Sequence, residues 1–246
     1  MHRIPLQTVF VCLGLGLALV SARAFTLTPI SATLAPAGHG AAASFRVENS
    51  SSNRVAFQIT MITREMDEDG NETYEPATNF FTVFPPQGII PAGQRQNIRV
   101  VWKGPTEVTN ELAYRIVAEE LPVTLDPEQN ESRIKLLVRY MGTVYVTPRR
   151  AKAELQLVSL TKVAPGTAGT NNYVLTLRNA GTAHQGLKNP VLKITAAPGA
   201  VTTLDAAQLD TVTGQNILAR HTRHFPVRLP EGFTADSYPA EIKVDE

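Results

Sequence analysis

Few residues in this sequence could do chemistry. His221 and His224 stand in the run HTRH, which invites a metal reading. The surrounding stretch ILARHTRHFPVRL (217–229) reads as a strand, and strand positions three apart face opposite sides, so the two imidazoles diverge. They are expected to be exposed strand histidines. His39 and His184 complete the set beyond the N-terminus. The acidic run MDEDGNE (66–72) has the composition of a calcium loop. It lacks the EF-hand spacing and a bidentate Glu at the right distance, and its Asp69-Gly70 marks a solvated hairpin tip. No G-x-S-x-G elbow is present. Asn49, Asn71 and Asn130 begin N-x-S/T sequons and are expected in surface loops. No catalytic residue, metal site or cofactor is expected, and an enzyme is the weakest class, although a hydrolase with a scattered site stays open.

The elements that carry these residues are more informative. The chain has 246 residues and a formal net charge of +1, which gives no basic excess for a nucleic-acid partner. His2 and Arg3 precede the apolar run Val9 to Val20, and Ala22-Arg23-Ala24 is a small-x-small site. This is the layout of a secretory signal peptide over 1–24, cleaved after Ala24 to leave Phe25 as the mature start. The run is too short to span a bilayer. Cys12 is the only cysteine, so the mature protein is exported without disulfides. No later segment is apolar enough to span a membrane, and the protein is expected to be soluble and not membrane-spanning.

From Phe25 to Val146 alternating segments follow one another: FTLTPISATL, ASFRVEN, VAFQITMITREM, FFTVFPP, QNIRVVWKG and ELAYRIVAEELP. With the stretch 133–148 they make about seven to eight strands at the spacing of a β-sandwich. The stretch 133–148, RIKLLVRYMGTVYVTP, is unusual. Its alternate positions Ile134, Leu136, Val138, Tyr140, Val144 and Val146 form one apolar stripe, broken only by Gly142. Most strands run about 5–6 residues, so a strand of this length asks what covers its stripe. TPRR (147–150) reads as a hinge, because Pro148 cannot donate to a ladder. Short strands resume over 151–246, enough for a second, smaller sandwich. The fold class is all-β, with two immunoglobulin-like sandwiches over 25–146 and 151–246.

The sequence resembles the periplasmic chaperones of the chaperone–usher pilus pathway. FTLTPISATLAPAG and SFRVENSS are similar to the first two strands of that family. GIIPAGQRQNIRVVW resembles its turn into a following strand, and NELAYRIVAEELP (110–122) its sixth-strand motif. The resemblance is specific over 25–148 and mainly architectural beyond. It implies that the 133–148 strand is a donor strand, completing a pilin subunit that lacks its own last strand. Ile134, Leu136, Val138 and Tyr140 are then the side chains that fill the subunit groove. The partners implied are pilin subunits and an outer-membrane usher, and the location is the periplasm.

One departure is informative. Chaperones of P and type 1 pili carry an Arg on the first strand and a Lys on the donor strand, which together bind the subunit's C-terminal carboxylate. The matching positions here are Ser31 and Thr143. The run Tyr114-Arg115-Ile116 instead resembles the non-classical, archaic branch, in which an arginine of this strand anchors. Arg115 is therefore the expected carboxylate anchor, its planar fork being suited to two charge-assisted hydrogen bonds. The other reading of Arg115 is an internal pair with Glu119 or another acid. Val144 and Val146, at the end of the stripe, are expected to be buried in the chain's own domain, and for 134–140 such burial is the other reading. The alternative function is an exported two-sandwich binding or adhesion protein. That would need an aromatic loop patch, whereas the one tryptophan, Trp102, lies within a strand pattern.

Overall fold

The structure is a computed structural model, and it describes residues 25–123, 137–163, 172–197 and 199–245. The signal-peptide reading of 1–24, Asn130, Ile134 and Leu136 lie outside the described residues. Among the described residues no helix is long and apolar enough to cross a membrane.

Eleven strands build the first sandwich: β1 (Phe25–Thr28), β2 (Ser31–Leu34), β3 (Ala42–Asn49), β4 (Val55–Thr63), β5 (Glu65–Met66), β6 (Glu72–Thr73), β7 (Phe81–Phe84), β8 (Gln87–Ile90), β9 (Arg95–Trp102), β10 (Leu112–Glu120) and β11 (Arg139–Val146). One sheet runs β1-β3-β9-β7 and the other β2-β11-β10-β4-β8, while β5 and β6 form a separate hairpin. The alternation of apolar residues sends one side of each strand inward. Phe45, Val47, Phe57, Ile98, Ile116 and Val144 are buried there in one core.

One segment read from sequence as a single strand is divided between the sheets, and the chain crosses in the same way after FFTVFPP. FTLTPISATL breaks at Pro29-Ile30 into β1 and β2, and the stretch Phe81–Ile90 breaks at Pro85-Pro86 into β7 and β8. Proline cannot donate to a ladder, so the chain leaves one sheet there and joins the facing one. The long strand is also revised. Its described part is strand only over Arg139–Val146, and Leu137 and Val138 precede it. Gly142 interrupts the apolar stripe because the strand is crowded at that point. A Cβ there would come 2.9 Å from the Ile30 carbonyl oxygen and 2.9 Å from Ile116.

The second sandwich comprises β12 (Leu155–Lys162), β13 (Asn172–Asn179), β14 (Gln185–Gly186), β15 (Lys188–Ala197), β16 (Ala200–Leu204), β17 (Asn216–Ile217), β18 (Thr222–Arg228) and β19 (Ala240–Asp245). The sheet β12-β13-β18 faces the sheet β16-β15-β19, with β14-β17 at the margin. Leu160, Tyr173, Leu175, Leu192, Ile194 and Phe225 are buried between them.

Each sandwich is fastened by a buried asparagine. Asn49 was expected on the surface as a sequon residue, but it is 0% exposed. Its side-chain amide donates to the carbonyls of Asn53, Ile90 and Pro91 at 2.7, 3.0 and 3.1 Å. Its Oδ1 accepts from the Ser51 amide and hydroxyl. Asn179, at the end of β13, repeats the device: its amide donates to Ala183, Ile217 and Leu218. Both side chains satisfy main-chain groups that would otherwise be buried without partners. Asn49→Ala is expected to lower the unfolding free energy by about 2–3 kcal/mol, because it strands carbonyl acceptors in the core. Urea denaturation checks this, and a negligible change would contradict it.

Candidate functional site

Strand β11 is covered along half of its outer edge. On its inner side it pairs antiparallel with β10 throughout, Leu112 opposite Val146 and Glu119 opposite Arg139. On its outer side β2 pairs with it in parallel, but only from Thr143 to Val146. The Glu120 amide donates to the Val138 carbonyl at 3.0 Å, so the even-numbered residues exchange hydrogen bonds with β10. The odd-numbered residues point the other way. Thr143 and Thr147 donate to the Ile30 and Leu34 carbonyls, both at 2.8 Å. Arg139 and Met141 therefore direct their amides and carbonyls to an edge with which no strand pairs among the described residues.

The side chains of this half divide by the same alternation. Val138 and Tyr140 are half-buried and pack against the core of their own sandwich, with the Tyr140 ring 6.5 Å from that of Phe25. Val144 and Val146 are fully buried, the own-domain burial read for that end of the stripe. Arg139 is exposed and lies 3.7 Å from Glu119. Glu119 is thus the partner of Arg139 and not of Arg115.

Arg115 lies at the junction of the two sandwiches. It stands opposite Thr143 across the ladder, and Thr143 stands opposite Ser31 on β2. The three side chains therefore share one row across the sheet, and the Arg115 Nη1 donates to the Thr143 hydroxyl. The guanidinium also has an internal carboxylate, that of Glu72 on β6. Nε donates to Glu72 Oε2 at 3.0 Å, and Nη2 lies 2.6 and 2.7 Å from the two oxygens. Arg64 approaches the same carboxylate from the other side, its Nε donating to Oε1 at 2.9 Å, and the Tyr74 hydroxyl donates to Oε2 at 2.9 Å. Burial alone would raise the Glu72 carboxyl. The hydrogen bonds from Arg115 and Arg64, with the Arg64 charge and the Tyr74 hydroxyl, outweigh it and hold the carboxyl below its ordinary value.

The second sandwich closes the other wall. Arg64 Nη1 donates to the Tyr145 hydroxyl at 3.0 Å and Nη2 to Asn216 Oδ1 at 3.2 Å. The Asn216 amide also reaches the Tyr145 hydroxyl, at 2.7 Å. Met66, Tyr145 and Leu218 form a small apolar cluster across the junction. The Tyr145 ring stacks on His184 at 3.8 Å. His184 Nδ1 lies 2.6 Å from Glu111 Oε1, and the Thr147 hydroxyl donates to Oε2 at 2.6 Å. A cavity of about 310 Å³ remains, lined by Arg64, Glu72, Arg115, Thr143, Asn216 and Arg223.

Sequence reasoning placed Arg115 and Thr143 here but missed Arg64, Glu72 and Arg223. Glu72 and Arg64 flank a polar turn, where nothing in composition sets them apart from solvated charges. Arg223 did carry a signal, since it occupies the buried alternation of β18 with Phe225 and Val227. The DEDG turn (67–70) was expected to be a solvated tip. Residues 67–69 are exposed, yet the tip docks on the second sandwich through the His224 amide, which donates to the Glu68 carbonyl at 2.6 Å. That docking also accounts for His224, which is half-exposed and lies 3.7 Å from Glu68 and 3.6 Å from Asp69. His221, expected within the strand, precedes β18 and is half-buried. No group of three or more metal-ligating side chains occurs among the described residues.

Residues 28–152 match the family described as pili and flagellar-assembly chaperone, PapD N-terminal domain. No curated protein sequence matches the chain significantly. Among solved structures, the class 5 fimbriae chaperone CfaA aligns at 18% identity with a TM-score of 0.56, covering 91% of this chain and 100% of that one. A chain of the Salmonella enterica complex of the SafA pilin with the SafB chaperone aligns at 15% identity with a TM-score of 0.55, covering 90% and 96%. A chain of the CsuC–CsuE chaperone–tip adhesion subunit complex, from archaic chaperone–usher Csu pili of Acinetobacter baumannii, aligns at 15% identity with a TM-score of 0.53, covering 82% and 89%. At these identities the likenesses establish the two-sandwich fold and do not single out a branch.

The Glu72 cluster has a defined pH signature. A carboxyl held below its ordinary value in the folded chain adds stability that is present above the unfolded value, near 4.5, and is lost as pH falls through the folded value. The stability gap between the wild type and Glu72→Gln is therefore expected to be full at neutral pH and to shrink below pH 4.5. Urea titrations across that range measure it, and a gap that does not change with pH would contradict the assignment.

Proposed function

The chain belongs to the pili and flagellar-assembly chaperone family, and from that premise we propose that it captures pilin subunits by lending them the open half-edge of β11. The observation that carries the reading is that edge. Arg139 and Met141 turn main-chain donors and acceptors outward where β2 has not yet begun. An incomplete subunit sandwich that pairs there satisfies its own bare strand largely regardless of sequence, while alternate side chains set the register. Ile134 and Leu136 would enter the subunit groove, with Val138 and Tyr140 bridging it to the chaperone's own core. Each aliphatic side chain fully buried in this way contributes on the order of 1.5–3 kcal/mol.

Arg115 is proposed as the anchor for the subunit's terminal carboxylate. Its place beside Thr143 and Ser31 supports this, since those are the positions that match the family's usual basic pair. The proposal extends to export through a cleaved signal peptide over 1–24, action in the periplasm, delivery to an outer-membrane usher and membership of the archaic branch. It also takes 25–146, 147–150 and 151–246 as first domain, hinge and second domain. No catalytic step and no cofactor enter this account.

Co-expression with neighbouring exported proteins, followed by affinity recovery, tests the proposal. The wild type is expected to bring down an otherwise degraded small subunit in equal amount. Met141→Pro removes one outward amide and obstructs the edge while keeping every bond to β10. It is expected to abolish capture with an unchanged urea midpoint. Normal capture by Met141→Pro would overturn the edge assignment, and normal capture by Arg115→Ala would overturn the anchor.

A further inference from the structure

Arg223 differs from the other two arginines of the junction. Its residue is 6% exposed, and its guanidinium carbon lies 4.7 Å from the Phe225 ring centroid. Nη1 donates to the Asn216 carbonyl at 3.1 Å and to Gln215 Oε1 at 3.4 Å. Nε is buried and finds no acceptor among the described residues. Among the described residues Nη2 forms no hydrogen bond either, and no carboxylate lies within ion-pair distance of the guanidinium. The Nε–Nη2 edge is the side of the fork with which Arg115 grips Glu72. A buried donor without an acceptor is costly and uncommon.

The charges of the cavity point the same way. Arg64, Arg115 and Arg223 line it with one lining carboxylate, that of Glu72, already shared by the first two. Asp67, Glu72 and Asp69 act on Arg223 only from a distance, and both aspartates are exposed on the hairpin tip. Gly70 lets that tip lie directly on the guanidinium: a Cβ at this position would come 2.0 Å from Nη2. The tip thus covers the Nε–Nη2 edge and is held to the second sandwich by the Glu68–His224 main-chain bond, so a ligand can reach that edge only by displacing the tip.

We propose that Arg223 is the second domain's contribution to the carboxylate site, so that a terminal carboxylate entering between the sandwiches is gripped by Arg115 from one side and by the Nε–Nη2 edge of Arg223 from the other. This rests on the reading of Arg115 as the anchor. It assigns a subunit-binding residue to the second domain and makes the site depend on both domains being present.

The test is a titration of the ¹⁵N-labelled full mature chain, following the arginine Nε–H resonances, with N-acetyl-alanyl-valine bearing either a free carboxylate or a C-terminal amide. Arg223→Lys keeps the charge and removes the Nε–H, which identifies its signal. The free acid is expected to shift the Arg115 and Arg223 signals together and saturably, and the amide to shift neither. Arg223→Gln is expected to weaken binding of the acid roughly ten-fold or more. If the acid shifts Arg115 while Arg223 stays still, and Arg223→Gln binds as tightly as the wild type, Arg223 is only a strut between domains and this inference falls while the anchor stands. If the acid moves neither signal, both fall.

Discussion

A β-strand has two edges, and every main-chain donor and acceptor along both needs a partner. In β11 the inner edge is served by β10 along its whole length, while the outer edge is served by β2 only from Thr143 onward. Much of the first sandwich follows from that arrangement. Pro29 interrupts the opening strand, so β2 begins late and in the facing sheet. Gly142 lets β11 pass the Ile30 carbonyl closely enough for β2 to join at all. What remains on β11 is a short length of main chain with which no strand pairs among the described residues, bordered by the charged side chain of Arg139.

The junction between the sandwiches is governed by a second constraint, that of buried charge. Two guanidiniums converge on Glu72, and the hydrogen bonds they make fix their rotamers as well as offsetting the loss of hydration. The same carboxylate ties the β5–β6 hairpin to β10, and the hairpin tip in turn touches β18. Around this polar centre the stacked Tyr145 and His184 rings and the Met66–Leu218 contact add apolar area. The orientation of the two sandwiches and the positions of Arg64 and Arg115 are therefore set by one network.

The elements legible in the sequence were those with a strong period. Strands β3 and β9 alternate cleanly, and β4, β10 and the C-terminal half of β11 do so apart from extra buried residues such as Val117 and Tyr145; their inward residues form the core that alternation implies. The breaks at Pro29 and Pro85 were visible as prolines, but a change of sheet depends on the facing layer and has no local signature. Asn49 looked like a surface sequon because its motif is polar, and its burial is dictated by carbonyls about forty residues away. Arg115 could be chosen from a motif, whereas its partner Glu72 could not. The pair is 43 positions apart and is made only when the hairpin folds over β10.

Amide hydrogen exchange, resolved residue by residue across 138–146 in the free protein and in its complex with a captured subunit, addresses the central claim most directly. In both states the amides of Tyr140, Gly142 and Val144 should exchange slowly, because β10 accepts from them. The amides of Arg139 and Met141 should exchange rapidly in the free chain and become protected in the complex. A stable complex in which those two amides still exchange freely would contradict the account, because the subunit would then be held somewhere other than the open edge of β11.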